Sequence, residues 1–323
     1  MRFFAIICIM FCAFAFADTM NNGLKPLLKI TTQNAIISAA LAGDQVFVAT
    51  ANGTIEIYDT RSHKLIRTIK LPMIKDGFSD ILATPRVINS DTIDGEKIVI
   101  LSDDTEAGKA VYIWENGKLN KIFSTEDNLN ISKAYMIDQT HIIIATLGHE
   151  IKLYDIEKKR EIYSVQPYWS MLIDFIVSSD RKTAISASEG GVIYLFDIAN
   201  GKLLKEFHIH KDLAMSIAFA NGVLISGGAD LKMGVVNVAS GAIKHIDRAF
   251  SISAVAISPS GKIGAAMKDE ANNISVFNTD TLEEIAVLNG GEAHQSIRTI
   301  LFLNEKDILV FFGGTTIQKW RLK

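Results

Sequence analysis

A chain of 323 residues, 48% apolar and 21% charged, can bury a large core, and five prolines without any Ser/Gly-rich tract indicate one continuous domain. The balance of 33 basic against 36 acidic residues, net −3 with no basic run, argues against nucleic acid as a partner. Both cysteines, Cys8 and Cys12, fall in the first 17 residues, so the remainder has no thiol for disulfides, thiolate metal sites, nucleophilic catalysis or haem attachment.

Those first residues read as a leader. Arg2 supplies one positive charge, Phe3 to Phe16 are 14 uninterrupted apolar residues, Ala15-Phe16-Ala17 has the small-x-small form of a cleavage site, and Asp18 opens a polar stretch. A membrane-spanning helix needs about 20 apolar residues. Cys12 follows Ile9-Met10-Phe11, which lacks the small residue that lipid attachment favours. The expectation is an exported, periplasmic protein: residues 1–17 a signal peptide, residues 18–323 a single domain, and no stable membrane insertion after cleavage. Loss of Arg2 takes the formal charge from −3 to −4.

Leu27 to Thr32 is the first strand-like run. A β-branched and aromatic segment then recurs along the whole chain: Ile55 to Asp59, Val111 to Glu115, Ile151 to Asp155, Ile193 to Asp197, Met233 to Asn237, Ile274 to Asn278 and Ile317 to Arg321. Equivalent positions are Tyr58, Trp114, Tyr154, Phe196, Val236, Phe277 and Trp320, which are 56, 40, 42, 40, 41 and 43 residues apart. After each copy comes a polar turn, such as Asn200-Gly201, and a further alternating strand. Before each copy run two apolar strands, for example Met171 to Val177 and Thr183 to Ser188, or Ser253 to Ile257 and Ile263 to Met267. The turn Ser258-Pro259-Ser260-Gly261 between the last pair fits type I geometry. Four strands per unit, seven units and no helical periodicity predict an all-β fold, a seven-bladed β-propeller. The seventh unit is one strand short, and Leu27 to Thr32 is expected to pair into it and close the ring.

Leu153-Tyr154-Asp155 and Leu195-Phe196-Asp197 stand where WD40 repeats carry Trp-Asp. Gly227-Gly228-Ala229-Asp230 resembles that family's Ser-Gly-x-Asp turn, and Ile257-Ser258-Pro259-Ser260-Gly261 its Phe-Ser-Pro-Asp-Gly turn. The chain therefore resembles a WD40-like propeller over nearly all of its length beyond the leader. The family's Gly-His dipeptide is missing from its place, near which only His210 and His294 stand, so its Asp–His–Ser network is not expected in most blades. The 56-residue interval places extra loop length in blade two, at Asp76 to Gly95 and Ser102 to Gly108. Such loops carry recognition or are neutral insertions, and the sequence leaves both open.

No catalytic arrangement stands out. His208-x-His210 places two imidazoles on one strand face but lacks a third metal ligand, and reads as solvated edge histidines. The Gly pairs at Gly190, Gly227, Gly290 and Gly313 fall at blade turns and open no helix, as phosphate binding would require. Asp103, Asp104, Glu106, Asp269 and Glu270 lie in turns with nothing to make them converge. Asp59, Asp155 and Asp197 are expected to cap strand-to-turn corners. No cofactor and no metal are implied, and no enzyme activity is expected.

Links between blades and turns between second and third strands share one face of a propeller. That face carries Phe78, Gln166 to Trp169, His210 to Asp212, Arg248 to Phe250, and His294-Gln295. Tyr168, Trp169, His210, Arg248, Phe250 and His294 are the candidate partner-binding residues, being of types favoured at interfaces. Trp114 and Trp320 occupy repeat positions and should pack between blades. Trp169 does not, and either serves recognition or packs under a neighbouring loop. The reading is a monomeric, exported protein-interaction scaffold. Ala15-Phe16-Ala17, the missing lipid-anchor cysteine and seven degenerate blades ending at Trp320-Arg321-Leu322 are similar to the NapL-type accessory proteins of periplasmic nitrate reductases. That resemblance implies a supporting role in nitrate respiration and a reductase component as partner. Outer-membrane assembly factors, and propeller lyases or quinone-dependent dehydrogenases, are the alternatives.

Overall fold

The computed structural model describes residues 23–75, 81–290 and 295–323. It contains seven four-stranded antiparallel sheets. Blade one comprises Ile36–Ala42, Gln45–Thr50, Thr54–Asp59 and Leu65–Lys70; blade two Val87–Thr92, Lys97–Asp103, Lys109–Glu115 and Lys118–Phe123. Blade three is Ile131–Met136, His141–Thr146, Ile151–Asp155 and Arg160–Val165; blade four Leu172–Val177, Thr183–Ser188, Val192–Asp197 and Leu203–His208. Blade five is Ala214–Ala220, Val223–Gly228, Lys232–Asn237 and Ala242–Asp247; blade six Val255–Ile257, Ile263–Met267, Ile274–Asn278 and Glu284–Leu288. Blade seven joins Ile297–Phe302, Asp307–Phe312 and Thr316–Arg321 to Leu28–Thr31 from the other end of the chain. First strands of successive blades touch all the way round, so they form the innermost ring.

The expected closure is observed. Leu28 pairs with Lys319 and Thr31 with Thr316 in an antiparallel ladder, extended by Leu27 N–H to the Lys319 carbonyl (2.7 Å) and Thr32 N–H to that of Thr315 (2.8 Å). The same segment also grips blade six, which the repeat pattern did not foretell. Leu24 N–H donates to Val287 O (2.7 Å), its carbonyl accepts from Asn289 N–H (2.9 Å), and the Trp320 indole donates to that carbonyl as well (3.2 Å). Residues 24 to 31 thus fasten two blades, not one.

The core lies between blades. Each of seven apolar clusters is shared by two neighbours, for example Phe47 and Ile57 of blade one with Ile98 and Ile100 of blade two, and Val48 of blade one with Phe311 of blade seven. Second and third strands, sandwiched on both faces, are almost continuously buried, which is why they read as apolar runs in the sequence. Fully burying a side chain such as Phe47 or Phe175 stabilises by about 1.5–3 kcal/mol. Trp320 is fully buried, and Trp114 is half-buried under the Arg67 guanidinium, 5.0 Å from the ring centre, so both pack between blades as expected.

Polar ties repeat around the outside. From equivalent positions on the outer strands, Tyr163 Oη donates to Ile198 O (2.8 Å), Lys205 Nζ to Val238 O and Ala239 O, and Lys244 Nζ to Asp280 O. Each ties one blade to the turn of the next. The corner aspartates act as expected: Asp59 accepts from the amides of Arg61 and Ser62, Asp155 from Glu157 and Lys158, Asp197 from Ala199.

One expectation is corrected. Asp76 to Gly95 is not a single loop, because Val87–Thr92 is the inner strand of blade two. Its Asn89 and Asp91 obscure the apolar alternation, yet both are buried against the edge of blade three. Asn89 accepts from Ala134 N–H (3.2 Å) and donates to its carbonyl (2.7 Å), and Asp91 accepts from Met136 N–H (2.9 Å). The extra length sits before it, in a connector with a short ribbon of Ile74–Lys75 against Leu82–Ala83, and in the Thr105–Ala107 turn.

Candidate functional site

In an up-and-down four-stranded blade, turns between second and third strands emerge on the same face as the links to the next blade. We call this the upper face. At blades three and four it carries the link of residues 166–171, with Tyr168 62% and Trp169 88% exposed, and the exposed Leu147 and Met171 beside it. Trp169 is the outlying one among three tryptophans, packing under no neighbouring loop. Together Leu147, Tyr168, Trp169 and Met171 make a cluster of exposed apolar side chains on this face.

The link is held at several points. Gln166 Nε2 donates to Gly148 O (2.8 Å), Leu172 N–H to Leu147 O (3.0 Å), and Glu189 N–H to Met171 O (2.9 Å). Beneath it lies His149, in the turn after Thr146 with φ of 67° and wholly buried. Its Nε2 is 2.8 Å from Ser186 Oγ of blade four, and its ring meets Tyr194 edge-on at 5.6 Å. The other nitrogen, Nδ1, faces the Ser170 backbone without a fully formed hydrogen bond. Burial pulls the His149 pKa down from 6.5 to about 4, so the ring is neutral near pH 7.

Blade five builds the corresponding bridge in another way. His210, near the start of the link from blade four to blade five, reaches Ser226 Oγ through Nε2 (2.8 Å) and Asp230 Oδ1 through Nδ1 (2.9 Å). Burial lowers its pKa, opposed by the Asp230 carboxylate. Ser186 and Ser226 hold the same register position, opposite Tyr194 and Gly234. Blade four therefore takes its histidine from the preceding blade's turn, where Gly148-His149 is a Gly-His pair displaced from its usual place. The sequence reading missed His149 for that reason; the dipeptide itself was the available signal.

The remaining candidates divide. The His210 imidazole has no exposed surface, so the expectations of a solvated edge histidine and of a contact residue are both corrected. Both ring nitrogens have partners, Ser226 and Asp230, as a buried imidazole requires. His208, two residues earlier, points to solvent instead, 3.3 Å from Glu206. Arg248 is half-buried between blades five and six and donates from Nη2 to Ser275 Oγ (3.2 Å); Phe250 is half-buried beside it. His294 and Phe78 lie outside the described residues, as do residues 1–17.

Three of the acidic turn residues, Asp103, Asp104 and Asp269, have partners. Asp103 binds Arg86 (2.7 Å) and Lys109 (2.8 Å), Asp104 binds Lys121 (3.1 Å) and the Thr125 amide (3.0 Å), and Asp269 accepts from Asn273. Among the described residues no three His, Cys, Asp or Glu side chains come together as a metal site. No described helix is long and apolar enough to cross a membrane. On the inner strands, Lys133 of blade three pairs with Asp174 of blade four at 3.3 Å; burial alone would lower the lysine pKa, but Asp174 outweighs it and raises it.

Seven blades, a closing strand from the opposite end of the chain, and the Asp230–His210–Ser226 network define a WD40-like seven-bladed β-propeller. Relatives agree with that class. Over 164 residues, half of this chain, it is 24% identical to the WD repeat-containing protein 55 homologs of Drosophila persimilis and Drosophila pseudoobscura pseudoobscura, covering 30% of each. Over 114 residues, 34% of this chain, it is 27% identical to the WD repeat domain-containing protein 83 homolog of Dictyostelium discoideum, covering 35% of it. The chain thus spans about a third of the length of the curated relatives it matches. No family model matches it.

Proposed function

We propose that this propeller is a protein-interaction scaffold whose partner docks on the upper face over blades three and four, with Trp169 and Tyr168 as anchors. The observation that carries the reading is the exposure of Trp169, on a link tied down by two backbone hydrogen bonds and one from the Gln166 side chain. A large aromatic presented on a preorganised segment loses little conformational entropy on binding, and truncating such an anchor typically costs 2 kcal/mol or more. The partner is a protein, and the scaffold has no chemistry of its own.

The finer reading is an exported, periplasmic and monomeric accessory factor of a respiratory enzyme such as nitrate reductase. It is supported by the leader pattern of residues 1–17, the lack of cysteine beyond it, and the resemblance to NapL-type proteins. Capture from periplasmic extract by the wild type and by Tyr168→Ala/Trp169→Ala, read by mass spectrometry, tests both levels. Recovery of reductase subunits by the wild type alone supports the accessory role. Recovery of outer-membrane assembly components would favour the assembly-factor alternative, and equal recovery by both proteins would reject the face.

A further inference from the structure

The link that carries Tyr168 and Trp169 is hung from two places. On one side are Leu147 and Gly148, whose carbonyls accept from Leu172 N–H and Gln166 Nε2. On the other is Glu189, whose N–H donates to Met171 O. These two supports belong to different blades. What joins them beneath the link is the contact between His149, next in chain to Gly148, and Ser186, three residues before Glu189. The same ring abuts the Ser170 backbone, so it touches the link directly. His149 holds φ of 67°, the left-handed turn position that Leu231 and Gly191 hold in blades five and four, and its N–H closes the turn on Thr146 O (3.0 Å), so the turn aims the ring at Ser186.

We propose that the His149–Ser186 bridge is a latch for the upper-face surface: intact, it presents Tyr168 and Trp169 in one arrangement, and broken by acid or substitution it loosens the link while the ring stays closed. This rests on the reading of that face as the docking surface, and it adds a regulation to it, since acidification would release what is bound there. The chemistry is simple. Neutral, the buried imidazole shares one hydrogen bond with Ser186. Protonated, it would carry a charge with no counter-ion at hand. It faces Ser186, the Ser170 backbone and Tyr194, and of these Tyr194 alone titrates, with burial raising its pKa further above 10. Expulsion of the ring is then the cheaper outcome. Blade five lacks this sensitivity in the same form, because Asp230 stands against His210 and would partner its charge.

Amide hydrogen exchange on the full chain separates the latch from general unfolding. The reporters are Leu172 and Glu189, whose N–H groups tie the link down, against the closing strands Leu28–Thr31 and Thr316–Arg321. In the wild type, protection at Leu172 and Glu189 should fall about tenfold or more as the pH drops from 7 toward 4, with the closing strands unchanged. In His149→Gln the link should be loose at every pH, without the acid step. Ser186→Ala, which keeps the buried ring and removes only its partner, should loosen the link likewise if the first variant folds poorly. Protection that ignores both acid and substitution would overturn the proposal, and so would loss in step with the closing strands. This readout needs no partner, so a Trp169→Ala protein that still captures its partner would reject the docking face and leave the latch standing.

Discussion

Arg181, in the first turn of blade four, reaches past blade three to clasp Asp91 on the inner strand of blade two, Nη1 to Oδ2 at 2.6 Å and Nη2 to Oδ1 at 2.9 Å. The same guanidinium donates to the carbonyls of Met136 and Thr92, both at 3.1 Å, so one side chain joins three blades on the lower side of the ring. Asp91 is buried and bound in turn to the Met136 amide. Arg181→Ala should therefore destabilise by about 3–5 kcal/mol, because it strands a buried carboxylate. Asp91→Ala combined with it should cost clearly less than the sum of the two single changes. Urea midpoints of the three variants decide this, and strict additivity would mean that the pair acts as two independent surface charges.

Acid should weaken the fold in a defined window. His149 is held at about 4 against 6.5 for a free histidine, so between those values the unfolded chain binds a proton that the folded chain refuses. Stability is then full above pH 6.5 and falls as the pH drops toward 4, by at most on the order of 3 kcal/mol from this residue. His210, lowered in the same direction, adds to the slope. Asp307, lowered to about 2 chiefly by its bond to Arg321, contributes a separate loss only below pH 3.8. Urea midpoints measured from pH 7 to 3 should show the first step, and His149→Gln should remove most of it.

Two turn glycines should differ in what they tolerate. Gly191 sits at φ of 77° with room for no Cβ, which would lie 2.4 Å from His210 O and 2.7 Å from Asp212 O. Gly117 has nearly the same φ, 76°, but opens to empty space. Gly117→Ala should cost only the backbone term, about 1–2 kcal/mol. Gly191→Ala should cost appreciably more and disturb the link that begins with His210. Equal melting temperatures for the two variants would contradict the close approach.

The closing segment should act on two blades. Trp320→Ala removes a fully buried ring and the indole bond to Leu24 O, for an expected loss of about 3–5 kcal/mol. Exchange protection should fall in Glu284–Leu288 of blade six as well as in blade seven, since Leu24 is paired there. Loss confined to blade seven would show that the grip on blade six is dispensable.

What the sequence revealed follows burial. Third strands are enclosed on both faces, so Ile55, Leu153 or Val276 must be apolar and the spacing of the copies survives as a visible period. The inner strand of blade two escaped notice because Asn89 and Asp91 are polar for a structural reason, satisfying the edge of the next blade 45 residues away. His149 escaped because its partner Ser186 lies 37 residues on, in another blade, and its Gly-His pair stands away from the place that dipeptide holds in the family. His210 was legible as a family position but not as buried, since the adjoining His208 is solvated. Trp169 was the reverse: its lack of a repeat role singled it out before its exposure was known.

Partner binding by this propeller rests on the upper face as the working surface. The direct measurement is the affinity of the purified captured partner for three proteins: wild type, Trp169→Ala, and Lys182→Glu in an exposed turn on the opposite face. Trp169→Ala should bind about 30-fold more weakly or worse, as loss of a 2 kcal/mol anchor requires, while Lys182→Glu binds like the wild type. Unchanged affinity for Trp169→Ala, or a larger loss for Lys182→Glu, would contradict it.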